Sequence, residues 1–467
     1  MDADDVFDSV TWETPSMSAN NGYEATYLNN EDDGATAPAK PGYLHHDDGD
    51  SAPNEPKWEG YLVGVVKDPV KELDGTKDMY VSYLVTARTS LPIFSSTTPS
   101  SRRRFQDFVF LREHLSKDFP ACVVPPLPDK HRLEYLTGDR FSPEFIERRR
   151  QDLNRFMQRV CNHPTLQRAS LVRDFLESTE WNVKMHQHMA HPPGPDPAPT
   201  LLDNISDTLL NAFARVRKPD ERFVQMRETI EKFEESLIGI ERTWSRGRAR
   251  ATDLTSDYHD LAVSVQGLGF LESGITNQLN DFSNTLLEFS ALLRHTTQTS
   301  TEPFLAHLQS LISYAQVHKA VLKLRDQKQL DFEELTDYLT SVTAERDRLA
   351  AMVQGHVTSS GFGIGAYLRD RVDAIRGADD DRTRVEKMRK LDARIKELQE
   401  AVTTAHETSD AFNDEVMKEN AIFQYAKESE MRELLLILAE GQIEMYRAAN
   451  DEWERVVPVL QRIRVDV

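Results

Sequence analysis

The chain has 467 residues, 39% of them hydrophobic, which is enough for two or three domains with apolar cores. Its 56 basic and 77 acidic residues give a formal net charge of −21, which argues against general nucleic-acid binding. Two cysteines, Cys122 and Cys161, are too few for a disulfide framework or a four-thiolate metal site, so we expect a reducing compartment, the cytosol by default. We expect neither a secretion signal nor a membrane span, because no apolar run approaches the about 20 residues that a span needs.

Charge and composition divide the chain into segments. Residues 1–56 carry 13 acidic residues and one lysine, and without a sustained apolar period they are predicted to form a disordered acidic tail. Residues 57–181 carry 20 basic and 17 acidic residues, a balance of +3, whereas residues 182–467 carry 35 basic and 47 acidic residues, a balance of −12. The total charge therefore hides a positive central segment.

The central segment mixes strand and helix patterns. Residues 61–66 and 79–85 are rich in β-branched and aromatic residues, and Asp74-Gly75 lies in the turn region between them, which predicts a β-hairpin. A third short strand through residues 102–105 then leads into a helix. The apolar positions of that helix are Phe108, Leu111 and Leu115.

A proline-rich run follows at residues 124–128, VPPLP, and is predicted to be polyproline II because it is too dense in proline for a helix or a central strand. Another helix is predicted to begin near Ser142, with Pro143 in its first turn. Its apolar positions are Ile146, Leu153, Phe156 and Val160. These elements together predict a small α+β domain.

The next segment is predicted to be a linker followed by an amphipathic helix. Residues 191–199, HPPGPDPAP, are too rich in proline for anything but a linker. An apolar stripe then repeats every three or four residues, at Leu202, Ile205, Leu209, Phe213 and Val216. Two interpretations stay open: Leu209 and Phe213 enter a membrane, or the stripe packs against protein.

The remaining chain is helical in pattern. Proline is nearly absent between Pro219 and Pro458, which permits three long antiparallel helices broken near residues 267–274 and 359–377. Two apolar seams have coiled-coil-like spacing: Leu279, Phe282, Leu286, Phe289 and Leu293, and then Val385, Met388, Leu391, Ile395, Leu398 and Val402. We expect an elongated bundle that dimerises.

The run of arginines from Arg102 to Arg104, followed by Phe105, is the constellation that carries chemistry. A guanidinium binds a phosphate through two parallel N–H donors, and a neighbouring ring stacks on the flat face of a sugar alcohol. Taken alone, the motif fits solvated arginines before a core phenylalanine equally well. The order of segments favours the first interpretation: RRRFQDF, a helix, PPLPDK, and then FIERRRQDLNRF.

These motifs together resemble a phox-homology (PX) domain over residues 58–179, and the helical segment after it is similar to a BAR domain. The run PPLPDKHRLEYLTGDRFSPEFIERRRQDLNRF resembles the sorting nexin-4 (autophagy-related) branch of the PX-BAR sorting nexins. The resemblance implies an α+β PX domain at 57–181, with a three-stranded antiparallel sheet plus helices. It also implies a linker with an amphipathic helix at 182–219 and an all-α elongated three-helix BAR bundle at 220–467, and it does not cover residues 1–56.

The resemblance further implies a site for phosphatidylinositol 3-phosphate. In such PX domains the arginine before the aromatic, Arg104 here, holds the 3-phosphate, and the aromatic, Phe105, stacks under the inositol ring. By the same resemblance Lys130 approaches the 1-phosphate and Arg149 bonds the ring hydroxyls. Gln106 stands where the family often has serine, which leaves its part in the phosphate site open.

Further surfaces also have two interpretations. Leu133, Tyr135 and Leu136 either enter the bilayer interface beside the lipid head group or pack back onto the domain. Three basic clusters lie in the helical part, at Arg242, Arg246 and Arg250, at Lys319, Lys323 and Lys328, and at residues 382–394. On a concave dimer surface they would attract anionic lipid, and otherwise they are ordinary solvated helix faces.

Other motifs yield no catalytic or metal site. The glycines from Gly361 to Gly365 have no preceding strand, so they predict a break at the bundle tip rather than a dinucleotide site. His186, His188 and His191 adjoin the proline linker without the spacing of a helical metal pair and are predicted to be solvated. Both cysteines are predicted to be packed thiols, and we expect no cofactor and no metal.

We therefore predict a non-enzymatic peripheral membrane protein on endosomes and at the pre-autophagosomal site. The resemblance implies retrieval of cargo from endosomes toward the Golgi and selective autophagy, with cargo or autophagy proteins as partners. It also implies a homodimer or a heterodimer with another PX-BAR sorting nexin. One rival is a cytosolic coiled-coil scaffold whose PX-like domain binds protein, and another is an enzyme, which would need a phospholipase or kinase motif that we do not find after Trp181.

Overall fold

The computed structural model describes residues 60–77, 79–128, 141–190, 219–353 and 366–463, with side chains for all of these except 352–353 and 366–382. Several expectations concern residues outside these ranges. They are the expectations for the acidic tail, for Lys130 and the loop with Leu133, Tyr135 and Leu136, for the proline linker and the helix with Leu209 and Phe213, and for residues 361–365.

The first part of the described chain contains a three-stranded antiparallel sheet in the order β1-β2-β3. The strands are β1 (Leu62–Glu72), β2 (Tyr80–Thr89) and β3 (Ser100–Arg104). Gly75 lies between β1 and β2 with a φ of +78°, a conformation that glycine adopts without strain. The predicted hairpin and third strand are therefore confirmed.

Helices cover one face of this sheet. They are α1 (Phe105–Asp118), α2 (Pro143–Asn162), α3 (Ser170–Glu177) and α4 (Trp181–Ala190). The three apolar positions predicted for α1 are fully buried. The Ser142 hydroxyl accepts a hydrogen bond from the Phe145 N–H, and Pro143 is the first helical residue, so the predicted start of α2 is confirmed.

Helix α2 closes the outer edge of β1. The Asn154 side-chain oxygen accepts from the Val66 N–H at 2.9 Å, and Arg150 donates to the Val66 carbonyl at 2.8 Å. A Cβ on Gly64 would lie 2.7 Å from the sulfur of Cys161, so only glycine allows this approach. These contacts fix the helix on the sheet and so position the arginines along it.

Helix α4 was not predicted from the sequence and packs on the α+β core. Trp181 is buried in the core, and its ring meets Phe110 and Phe175 edge-on. His188 lies 3.1 Å from the Asp118 carboxylate and its side chain is almost fully buried. The prediction that His188 is a solvated linker residue is therefore wrong, because α4 continues the folded domain up to residue 190.

The second part of the described chain is a bundle of long helices. These are α5 (Glu221–Leu271), α6 (Thr276–Thr296), a π-helical turn (Thr297–Thr301), α7 (Glu302–Val353) and α8 (Ala366–Leu460). The predicted break near 267–274 is confirmed. The second break was placed too far along the chain, because α8 continues through Gly377; a single glycine inside a helix costs only about 1 kcal/mol.

The central positions of both predicted seams are confirmed. Leu398 is buried between α7 and α8 together with Leu335 and Val342, and Leu391, Ile395 and Val402 pack around them. In the earlier seam Leu286 is buried, and the rings of Phe282 and Phe289 lie 6.2 and 6.1 Å from that of Trp453. Val385 is exposed and does not belong to the seam.

Arg103 is an internal brace of the α+β domain. It lies on the inward side of β3 with 4% exposure, and its guanidinium donates to the carbonyls of Phe175 at 2.9 Å and Ser178 at 2.6 Å. Burial lowers its pKa to about 10, which still leaves it charged at neutral pH. The side chain thus ties the end of α3 to the sheet.

We predict that Arg103→Ala lowers the free energy of unfolding by about 3 kcal/mol, because it leaves buried carbonyl groups without their donor. The neighbouring exposed Arg104 is the matched control, and Arg104→Ala should change stability by no more than about 0.5 kcal/mol. Urea or thermal unfolding of the full-length proteins measures both. Equal losses for the two variants would contradict the assignment of Arg103 as a brace.

Candidate functional site

Arg104 lies at the junction of β3 and α1 and is exposed. Its backbone N–H donates to the Asp107 carboxylate at 2.7 Å, which fixes the first turn of α1. Its guanidinium carbon lies 3.5 Å from the centre of the Tyr80 ring. Stacking on a ring holds the flat face of a guanidinium and leaves its edge, which carries the N–H donors, able to bind an anion.

Phe105 lies directly beside a second guanidinium. The guanidinium carbon of Arg149 is 4.4 Å from the centre of the Phe105 ring and 4.4 Å from that of Phe145. Arg149 and Phe145 are four residues apart on α2 and therefore share a helix face. The half-buried Phe105 ring is thus flanked by Arg104 in the chain and by Arg149 in space.

The acidic residues near this site are engaged by other groups, Asp107 by the Arg104 backbone N–H and Glu147 by Arg150. Glu147 receives three hydrogen bonds from Arg150, at 2.6 to 3.0 Å, and this pairing lowers the pKa of its carboxyl. Burial raises the pKa of Tyr83 to about 12, against the opposing effect of the Arg149 guanidinium, so its phenol is neutral at physiological pH. The local balance of charge between β3 and α2 is therefore positive.

The N-terminus of α1 adds to this positive character. Gln106 is exposed in the first turn of the helix. The first N–H groups of a helix lack partners within it and, with the helix dipole, favour an anion. Gln106 therefore stands at a place suited to an anionic ligand, although serine is the more frequent residue there in the family that the sequence resembles.

The structure brings together Arg104, Phe105, Gln106 and Arg149 from the predicted set. The other predicted contacts, Lys130, Leu133, Tyr135, Leu136, Leu209 and Phe213, lie outside the described residues. Sequence reasoning missed Tyr80 and Phe145, the two aromatic rings that hold the guanidiniums. The four-residue spacing of Phe145 and Arg149 was a usable signal, whereas the position of Tyr80 depends on the β2–β3 register, in which Ser82 pairs with Arg104.

The basic clusters of the bundle differ in their surroundings. Arg242, Arg246 and Arg250 are exposed and form no ion pair with any residue that the structure describes. In the second cluster Lys319 lies 2.7 Å from Glu234, and in the third Lys387 lies 2.9 Å from Glu345. The first cluster is therefore better suited to an anionic surface than the other two.

The part of the bundle around Phe289 exposes several apolar side chains, which we call the end patch. Tyr258 of α5 and Trp453 of α8 both contact Phe289 of α6, so these three helices meet there. The end patch consists of Leu254, Leu261, Val263, Leu268, Phe270 and Leu271 of α5 and Ile443, Tyr446 and Val457 of α8. Phe270 and Leu271 are 83% and 80% exposed. Exposed apolar side chains at this density favour an interface with another protein surface.

Within the described part of the chain, none of the helices has the length and apolar character to cross a bilayer.

Comparisons with known proteins agree with this architecture. A family model for the PX domain matches residues 91–179. A sorting nexin-4 of Cryptococcus neoformans var. neoformans is 59% identical over 411 residues, which cover 88% of this chain and 83% of the relative. A sorting nexin-4 of Aspergillus fumigatus is 38% identical over 484 residues, which cover 99% of this chain and 96% of the relative.

The fold also resembles a solved structure. The SNX-BAR protein Mvp1, determined as a tetramer by cryo-electron microscopy, aligns with a TM-score of 0.53 over 84% of this chain and 99% of that chain, at 19% identity. At this identity the comparison supports the fold alone, a PX domain followed by a helical bundle, as predicted. The identities to the fungal relatives go further: the chain belongs to the sorting nexin-4 family of PX-BAR sorting nexins, which are non-enzymatic membrane-trafficking proteins.

Proposed function

We propose that the pocket at Arg104, Phe105 and Arg149 binds the head group of phosphatidylinositol 3-phosphate. The observation that carries the proposal is the Arg149 guanidinium 4.4 Å from the centre of the Phe105 ring, with Arg104, the residue before Phe105, held on the ring of Tyr80 at 3.5 Å. Arg104 holds the 3-phosphate through its N–H edge, and Phe105 stacks on the inositol ring. Arg149 bonds the ring hydroxyls, Lys130 reaches the 1-phosphate, and Gln106 lies beside the phosphate site.

By binding this lipid, the pocket recruits the protein to endosomes and to the pre-autophagosomal site. There it takes part in endosome-to-Golgi retrieval of cargo and in selective autophagy, a role supported by membership of the sorting nexin-4 family. The proposal includes a division of the chain into four parts: a tail at 1–56, a PX domain at 57–181, a linker with its helix at 182–219 and a BAR domain at 220–467.

The end patch provides the dimer interface. A dimer carries two lipid pockets. Once one pocket has bound the membrane, the second meets the lipid at a high effective concentration, so two weak sites together bind the membrane tightly. The partner is a second copy or another PX-BAR sorting nexin. With a dimer on the membrane, the exposed Arg242, Arg246 and Arg250 attract anionic lipid, and the assembly senses or shapes tubular membrane.

Two apolar segments enter the bilayer interface in this proposal. Leu133, Tyr135 and Leu136 do so beside the lipid pocket, and Leu209 and Phe213 do so from the amphipathic helix before the bundle. Each insertion buries apolar side chains in the membrane and so strengthens the electrostatic attraction between the protein and anionic lipid.

We predict that Arg104→Ala abolishes binding to vesicles containing phosphatidylinositol 3-phosphate, because it removes the only group assigned to the 3-phosphate. Lys130→Ala and Arg149→Ala should weaken binding less. The matched control is Arg88→Ala. Arg88 is exposed on β2, six residues or about 20 Å beyond Ser82, the residue that pairs with Arg104. Vesicle co-sedimentation measures all four, and circular dichroism checks that each variant is folded.

Near wild-type binding by folded Arg104→Ala would remove the lipid site from this account. If the wild-type protein itself does not bind the lipid, the result favours the rival interpretation, a scaffold whose PX domain binds protein.

We predict that Phe270→Glu with Leu271→Glu converts the dimer to a monomer, because charges at the centre of an apolar interface have no partner when buried. Light scattering on a size-exclusion column measures the mass. The control is Val63→Glu, an exposed apolar residue on β1 and outside the end patch. A dimer that survives the double replacement unchanged would place the interface elsewhere.

We predict that Leu209→Glu with Phe213→Glu leaves the dimer intact and reduces vesicle tubulation, because the charges block insertion of the amphipathic helix. Electron microscopy of vesicles and light scattering measure the two properties. Loss of the dimer in this variant would instead identify the stripe as a packing surface.

A further inference from the structure

The PX domain and the bundle meet at a buried interface organised around two carboxylates of α8. Glu419 and Glu430 are eleven residues apart, which is close to three helical turns, so both lie on one face of α8. Their basic partners, Arg159 and His163, are four residues apart at the end of α2. Two matched pairs thus join the same two helices across the domain boundary.

The first pair is a bidentate ion pair. Arg159 donates to the two oxygens of Glu430 at 2.7 and 2.6 Å, and its third nitrogen donates to the Ser310 hydroxyl at 2.9 Å. His307 of α7 adds a contact of 3.0 Å to Glu430. Burial raises the pKa of Glu430, but Arg159 and His307 more than offset this and hold it at about 2. Glu430 is therefore ionised at any physiological pH.

The second pair is a carboxylate held by donors of the PX domain. A single oxygen of Glu419 accepts from the backbone N–H of Val123 at 2.8 Å and lies 3.0 Å from the Nε2 of His163. The other ring nitrogen of His163 accepts from the amides of Thr165 and Leu166, each at 3.2 Å, so the ring proton sits on Nε2 and points at Glu419. His163 is only 2% exposed.

The same cluster also has the composition of a metal site. The side-chain donor atoms of Cys122, His163 and Glu419 lie within 4.8 Å of one another. A metal would need the thiolate of Cys122 and the lone pair of His163 Nε2. Burial and the neighbouring Glu419 raise the pKa of the Cys122 thiol, and His163 directs its Nε2 proton at one oxygen of Glu419. The other oxygen of Glu419 has no hydrogen-bond partner among the described residues, so the metal content of the purified protein decides between a metal site and a hydrogen-bonded pair.

Helix α2, which carries Arg149, and the segment around Val123, which precedes Lys130 in the chain, both contact the bundle at this interface. Arg149 precedes Arg159 by ten residues on the same helix, a distance of about 15 Å along its axis. Val123 precedes Lys130 by seven residues, and Ala121 and Val123 pack with Phe223, Ile230 and Tyr314 of the bundle. The helix that carries Arg149 and the described segment before Lys130 therefore both contact the bundle.

We propose that Glu419 and Glu430 form an interdomain lock that fixes the lipid pocket in one orientation on the bundle, so that the pocket and the bundle engage a membrane together. Arg159, His163 and the two glutamates are then positioning residues, which contact no lipid themselves. This inference rests on the proposed function only for its consequence at the membrane, because the lock itself is a property of the protein alone.

The test uses the full-length protein with the paired replacement Arg159→Met and Glu430→Leu, which removes both charges and leaves no orphan ion in the interface. Glu419→Gln is a second variant with a smaller change, useful if the paired variant does not fold. The matched control is Glu428→Gln, an exposed glutamate on the same helix. Three quantities are measured: hydrogen exchange of the segment around Val123, affinity for the soluble short-chain lipid, and affinity for vesicles containing phosphatidylinositol 3-phosphate.

The lock predicts faster exchange around Val123 in the lock variants, by about tenfold or more, with no change in the control. Affinity for the soluble lipid should stay within about twofold of wild type, because the pocket is intact, while affinity for vesicles should fall by about tenfold, because the two membrane contacts are no longer aligned. A purely structural role would not separate the soluble lipid from the vesicle.

Unchanged exchange in a folded variant would overturn the lock, and so would faster exchange with unchanged vesicle affinity. Stoichiometric zinc in the purified wild-type protein, measured by mass spectrometry of the metal, would also overturn it, by making Glu419 a ligand. If wild-type protein binds neither the soluble lipid nor the vesicle, the proposed function fails, and hydrogen exchange still decides the lock.

Discussion

The alternation of side chains along β3 gives two adjacent arginines different roles. Arg103 points inward and donates to carbonyls of α3 and the residues after it, whereas Arg104 points outward and stacks on Tyr80. The inward arginine fixes the end of the strand, and α1 begins at the next residue, so the outward guanidinium and the Phe105 ring have defined positions. A one-residue change of register would exchange the two arginines and abolish the pocket.

Helix α2 connects this local geometry to the rest of the molecule. Its first half places Arg149 over Phe105, its middle closes the edge of β1 through Asn154, and its end meets α8 through Arg159. A helix is stiff over this length, so a displacement at one end is felt at the other. One helix thereby connects the proposed lipid pocket to the bundle.

The sequence was most informative where a pattern is local. The start of α2 at Ser142 and Pro143, the buried face of α1 and the α7–α8 seam follow from capping and periodicity, and the residues that we propose to bind lipid follow from a motif and a resemblance. The aromatic support from Tyr80, the burial of His188 and the pairs made by Glu419 and Glu430 were not predicted. Each depends on residues far apart in the chain, and in an acidic helix such as α8 no local pattern distinguishes an inserted glutamate from a solvated one.

The central claim is that this protein reads phosphatidylinositol 3-phosphate by the shape of its head group and not by charge alone. Vesicles of equal total charge, carrying in turn phosphatidylinositol, its 3-phosphate, its 4-phosphate and its 5-phosphate, test this directly by co-sedimentation of the full-length protein. We expect the 3-phosphate to bind at least about tenfold more tightly than its isomers, since only it brings a phosphate to Arg104 while the ring lies on Phe105. Equal binding to the three isomers would contradict the account.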